Sequence, residues 1–216
     1  MRTIDPVALA FALGLFALLP LLLVTMTSFL KISIVLALVR NALGVQQAPP
    51  NMAIYALAIL LSAYVMAPVG HRIVESVGDV KDPTMSVKVL LQVARKSSDP
   101  IREFLLSNSK PLQREFFLST SKKLWPPELS KDAEESDLLI VTPAFVVSEL
   151  TAAFEIGFLL FLPFVVIDLV ISNILMAMGM MMVSPVTISL PLKLFLFVMV
   201  DGWSRLIHGL IDTYIH

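Results

Sequence analysis

A chain of 216 residues that is 57% hydrophobic and only 15% charged, with a mean hydropathy of +0.85, lies outside the range of soluble domains and reads as a membrane protein. The net charge of −1 gives no case for nucleic acid, which needs a basic face. The absence of cysteine removes disulfides, thiolate metal sites and a cysteine nucleophile, and three scattered histidines (His71, His208 and His216) make a poor zinc site, so no metal or cofactor is expected.

Charge is unevenly spread: residues 71–142 carry 22 of the 33 charged positions. The sequence therefore predicts an all-α membrane protein in three parts. An apolar helical hairpin covers 1–70, a small polar helical insert facing water covers 71–142, and a second apolar hairpin with a methionine-rich turn covers 143–216.

The first block opens with VALAFALGLFALLPLLLVTMTSFL at 7–30, which holds no charge; Lys31 interrupts it and ISIVLALV continues it to 39. Arg2 suggests the start of a signal peptide. The apolar run, however, exceeds the roughly 7–15 residues of such a segment and no small-x-small site follows, so retention is expected. RNALGVQQAPPN at 40–51 is a turn with Gly44 and Pro49-Pro50 as breakers. NMAIYALAILLSAYVMAPVG at 51–70 has the ~20 residues needed to cross a bilayer.

Within the insert, Asp99-Pro100 reads as an N-cap followed by proline at the first helical position. A second helix is expected over 111–125, and 124–137 is a proline-rich, acidic loop. The third block, 144–183, contains Glu149, Glu155 and Asp168, and Pro163 is expected to divide it. After Ser184-Pro185 comes VTISLPLKLFLFVMV with Pro191 and Lys193, and Asp201-Gly202-Trp203 reads as the end of the last helix.

Length poses a problem. At 1.5 Å per residue, 144–183 would span ~60 Å and 7–39 ~50 Å, against a hydrocarbon core of ~30 Å. Either the runs bend at their prolines or other subunits cover them. By the positive-inside tendency, Lys31 and Arg40 place the first short loop in the cytoplasm, with the N-terminus, the insert and the C-terminus outside. A four-span topology then puts the 183–191 turn in the cytoplasm.

Three sets of residues could carry function. Glu149, Glu155 and Asp168 could form a proton or ion relay, as in a secondary transporter or ion-conducting subunit. Structural pairing competes with that reading. Asp168 and Lys193 are its natural partners, because they lie on opposite sides of the methionine turn and buried charges persist when paired. Glu149 and Glu155 are six residues apart and do not share a helix face. No GxSxG, HExxH, P-loop or GxGxxG is present, so an enzyme is not expected; an intramembrane protease is the one enzymatic reading. Lastly, MGMMMVSP at 178–185 places Met180, Met181 and Met182 side by side. On a helix they would point ~100° apart, so only one could face a given core. At a helix-ending turn, repeated about an axis, they would form a deformable apolar plug. Gly179 permits close approach of the backbone and Pro185 fixes the turn.

The run FLPFVVIDLVISNILMAMGMMMVSPVTISLPLKLFLFVMVDGW at 161–203, with KISIVLALVRNALGVQQAPPNMA at 31–53 and VSELTAAFEIGF at 147–158, resembles the FliP/SctR family of type III secretion export-gate proteins. Ser184 stands before Pro185 where flagellar members usually show Pro-Pro, which points to the injectisome branch. The resemblance covers roughly half of the chain and implies a non-enzymatic role in virulence-type protein secretion, in the bacterial inner membrane within the secretion basal body. It implies five copies of the chain with about four of a small hairpin subunit and one larger export-gate subunit, in a pseudo-helical cone through which unfolded secreted proteins pass. It further implies that Met180, Met181 and Met182 line a gasket-like constriction, and that Asp168 and Lys193 form a charged pair at subunit contacts. Glu149 and Glu155 match family positions without a clear role.

Overall fold

The computed structural model describes residues 6–45, 48–78 and 98–215. Arg2, Gln46 and Gln47 of the first turn, the 79–97 part of the insert, and His216 lie outside them. The described residues form helices and no strand: α1 (Pro6–Met26), α2 (Phe29–Leu43), α3 (Asn51–Gly78), α4 (98–107), α5 (Pro111–Leu124), α6 (Pro127–Ser130), α7 (Leu138–Ala177), α8 (Pro185–Met199) and α9 (Gly202–Asp212). Two, Asn51–Ser76 and Leu138–Ala177, are long and apolar enough to cross a membrane; the number rises to four if the pairs α1–α2 and α8–α9 each count as one bent span.

The helix breaks are not where the prolines suggest. Pro20 lies inside α1, and that helix ends instead at Thr27-Ser28. Hydroxyls take up backbone groups there. Thr25 Oγ1 donates to the Leu21 carbonyl at 2.8 Å and Thr27 Oγ1 donates to that of Leu23, while Thr27 Oγ1 accepts the Phe29 N–H at 3.3 Å. A break in an apolar run is tolerated where side chains replace the lost bonds. Pro163, expected to divide the third block, does not: α7 runs 40 residues without interruption. A proline removes one donor, whereas ending a helix in apolar surroundings exposes several, so continuation wins.

Asp201-Gly202-Trp203 was expected to close the last helix and instead opens one. Asp201 has φ 53°, and α9 leaves α8 at 61°. Gly202 is required by space, because a Cβ there would run into the Phe197 ring. Asp99 likewise lies inside the helical residues 98–107 rather than before them, and pairs with Arg102 at 2.7 Å.

Packing groups the chain into two compact units, 1–30 with 63–149 and 31–62 with 150–216. In the first, Phe104, Leu105, Ile140, Val141, Ala144 and Phe145 are buried, with the two phenylalanine rings 5.7 Å apart. Arg114 satisfies the end of α4, donating to the carbonyls of Leu106 (3.1 Å) and Ser109 (2.5 Å). Lys110 N–H donates to Ser148 Oγ at 2.9 Å and so ties the start of α5 to α7.

The second unit is built around α2, whose Ile32, Val35, Leu36, Val39, Ala42 and Leu43 are buried. Gly157 lets α7 approach α2, since a Cβ there would press on the Leu38 side chain. Phe164, Phe197 and Trp203 pack in succession, tilted at 6.3 Å and edge-to-face at 5.4 Å between ring centres, and join α7, α8 and the start of α9.

Candidate functional site

The methionine turn is formed by backbone rules at both ends. At the end of α7, Gly179 adopts φ +75°, a conformation glycine enters without cost. Its N–H donates to the Met176 carbonyl at 3.0 Å, and the Met180 N–H donates to that of Leu175 at 2.9 Å. This pair of bonds is the glycine-dependent Schellman cap, which satisfies carbonyls a helix end otherwise orphans. At the far end, Pro185 is the first residue of α8, where its missing N–H costs nothing.

Between these clamps the described residues leave Met181 and Met182 uncovered and Met180 partly covered. Met180 is 39% exposed, Met181 84% and Met182 101%. Met176 and Met178, just before them, are exposed as well. Core packing within the chain therefore does not account for the triplet.

Roughly 12 Å along the same two helices the arrangement reverses. Lys193, buried on α8, donates from Nζ to Asp168 Oδ2 on α7 at 2.6 Å. Its Nζ also donates to the Ala42 carbonyl at 3.3 Å, one of the orphan carbonyls at the end of α2. Ser189, one turn before Lys193, donates from Oγ to Asp168 Oδ1 at 2.6 Å. One ammonium and one carboxylate thus join α2, α7 and α8. Sequence reasoning named Asp168 and Lys193 but missed Ser189 and the Ala42 carbonyl. The four-residue spacing of Ser189 and Lys193 could have revealed the serine; no sequence signal marks the carbonyl.

The other acids are not gathered here. Glu149 is buried on α7 and Glu155 is exposed on it. By helical rise they lie ~28 and ~20 Å from Asp168, too far for direct proton transfer along the three. Among the described residues no group of three His, Cys, Asp or Glu could hold a metal ion.

The sequence model of the FliP family matches residues 12–210. The chain belongs to the FliP family. Among its relatives, the Yop proteins translocation protein R of Yersinia pestis is 52% identical over 97% of each chain. The harpin secretion protein HrcR of Erwinia amylovora is 44% identical over 98% of this chain and 97% of its own. The virulence protein YscR of Salmonella typhimurium is 43% identical over 97% of each. Likeness at this level to R-type translocation and virulence proteins agrees with the injectisome branch of the FliP family. Since the matched span runs from 12 to 210, it contains both the charge cluster and the methionine turn.

Proposed function

We propose that the chain is a core export-gate subunit of a bacterial type III secretion system, forming with partner subunits the passage for unfolded proteins across the inner membrane. The observation that carries this reading is end-to-end likeness to proteins named for translocation and secretion, combined with three adjacent methionines of which the described residues leave Met181 and Met182 uncovered. In a ring of five copies the turns would converge on one constriction. Unbranched thioethers change rotamer cheaply, so such a ring closes on itself and yields to a passing chain. The small hairpin subunit and the larger subunit would cover the exposed apolar faces of α3 and α7.

Within this reading Asp168 and Lys193 are structural, and an ion-coupled transporter has less support because both charges are already committed to each other. The 71–142 insert would face the periplasm, and neither cofactor nor catalysis is involved. The test is Met180→Ala, Met181→Ala and Met182→Ala together, in cells that co-express the partner subunits. The complex should assemble at a mass far above the single chain, small ions should leak, and secretion of large substrates should fall less than sealing does. A tight membrane in the assembled triple variant overturns the gasket.

A further inference from the structure

The same turn carries a chemical liability. Oxidation of a thioether requires an accessible sulfur, and the chain distributes access unevenly. Met26 and Met66 are half-buried on α1 and α3, and Met52 and Met199 are exposed but held on helices, whereas Met181 and Met182 project from a loop in which no described side chain covers them. Their position after the Schellman cap also removes them from any helix face, so packing of α7 or α8 cannot shield them.

We propose that Met181 and Met182 are sites of sulfoxidation, at which an oxidant of the peroxide class loosens the seal; the inference rests on the gasket reading above. The chemistry is a single oxygen transfer. The sulfur lone pair attacks one peroxide oxygen, the O–O bond breaks, and hydroxide leaves with the bonding pair. The proton on the newly bound oxygen then passes to hydroxide. Thioether and hydrogen peroxide become sulfoxide and water; sulfur is oxidised and peroxide reduced. The product is polar, chiral and a strong hydrogen-bond acceptor. A ring of thioethers excludes water because it offers water no partner, and a ring of sulfoxides offers one on every side chain. Oxidation would thus open the passage to small ions without breaking a backbone bond. The change is reversible, because the sulfoxide can be reduced back enzymatically.

The experiment treats the assembled complex, reconstituted in liposomes, with hydrogen peroxide. It maps sulfoxide at each methionine by peptide mass spectrometry while following release of a trapped small dye. Sulfoxide should accumulate at Met181 and Met182 severalfold faster than at Met26 and Met66, and dye release should rise severalfold in step. The combined variant Met180→Leu, Met181→Leu and Met182→Leu keeps apolar volume without sulfur, and its leak should not respond to peroxide relative to its own untreated level. Uniform oxidation across all methionines overturns the inference. So does a leak that stays flat while Met181 and Met182 are oxidised, or a Leu variant that responds like the wild type. The triple Ala variant separates the two levels. If it leaks while oxidation is silent, only the oxidation inference falls; if it is tight, the gasket falls with it.

Discussion

The charge cluster and the methionine turn occupy the same two helices and treat polarity in opposite ways. At Lys193 the chain puts an ammonium inside and completes it with two partners, a carboxylate that also accepts from Ser189 and a helix-end carbonyl. At Met180–Met182 it puts apolar side chains outside and completes nothing. Burying a charge is tolerated only when partners replace water, so the cluster is a solution found within one chain. The exposed methionines are completed by no such partners within the described residues. The first region shows what holds the fold; the second is what the proposed assembly would have to cover.

The largest effect should come from breaking the buried side. Lys193→Ala leaves Asp168 without its countercharge, with only the Ser189 hydroxyl donating to it, and takes the ammonium from the Ala42 carbonyl. It should cost about 3 kcal/mol, at the low end for a broken buried pair, because 38% of the Asp168 side chain remains exposed. Thermal melting and the yield of assembled complex measure this. The double swap Asp168→Lys with Lys193→Asp should recover only part, since an aspartate at 193 cannot donate to Ala42. Next, Gly202→Ala forces a methyl into the Phe197 ring and should cost ~1–3 kcal/mol by overpacking; an unchanged melting temperature would contradict the geometry. Ser189→Ala removes one hydrogen bond to a carboxylate, for ~1.5–2 kcal/mol, and a cycle with Lys193→Ala should be non-additive.

Effects should shrink on the exposed side. Gly179→Ala must hold φ +75° with a Cβ, at about 1 kcal/mol, although nothing lies within 4 Å to clash with it. The triple Met→Ala change should alter stability by no more than ~0.5 kcal/mol, as for exposed positions, while raising ion leak. If that variant melts several degrees lower, the turn has a packing role and the contrast between the two regions collapses.

Much of this was legible in the sequence because it depended on local rules. Helical periodicity and apolar length gave the all-α class, and Gly179 with Pro185 announced a turn between two helices. Asp168 and Lys193 were readable as partners because a hairpin closing at that turn brings their positions together. Misreadings arose where two rules compete. At Pro163 a lost donor competed with the cost of stopping, and the helix continued. Of the two alternatives left open for the first run, a bend at its proline is not the one taken: α1 continues through Pro20, and the break comes at Thr27, whose hydroxyl takes up backbone groups there. Asp201-Gly202 could end or begin a helix, and in the fold it lies between the end of α8 at Met199 and the start of α9 at Gly202. The Ala42 carbonyl has no side-chain signature, since any residue at 42 would present it.

The turn's shape is written in Gly179 and Pro185, so the letters between them carry no folding instruction. That makes position 181 a place to install a reporter. The chain contains no cysteine, so Met181→Cys would introduce the only thiol in the protein, on a loop whose geometry does not depend on the side chain. If the proposed gasket is formed, the rate at which maleimides of graded width reach that thiol, in resting complexes and in complexes stalled on a substrate, would measure the diameter of the passage in each state.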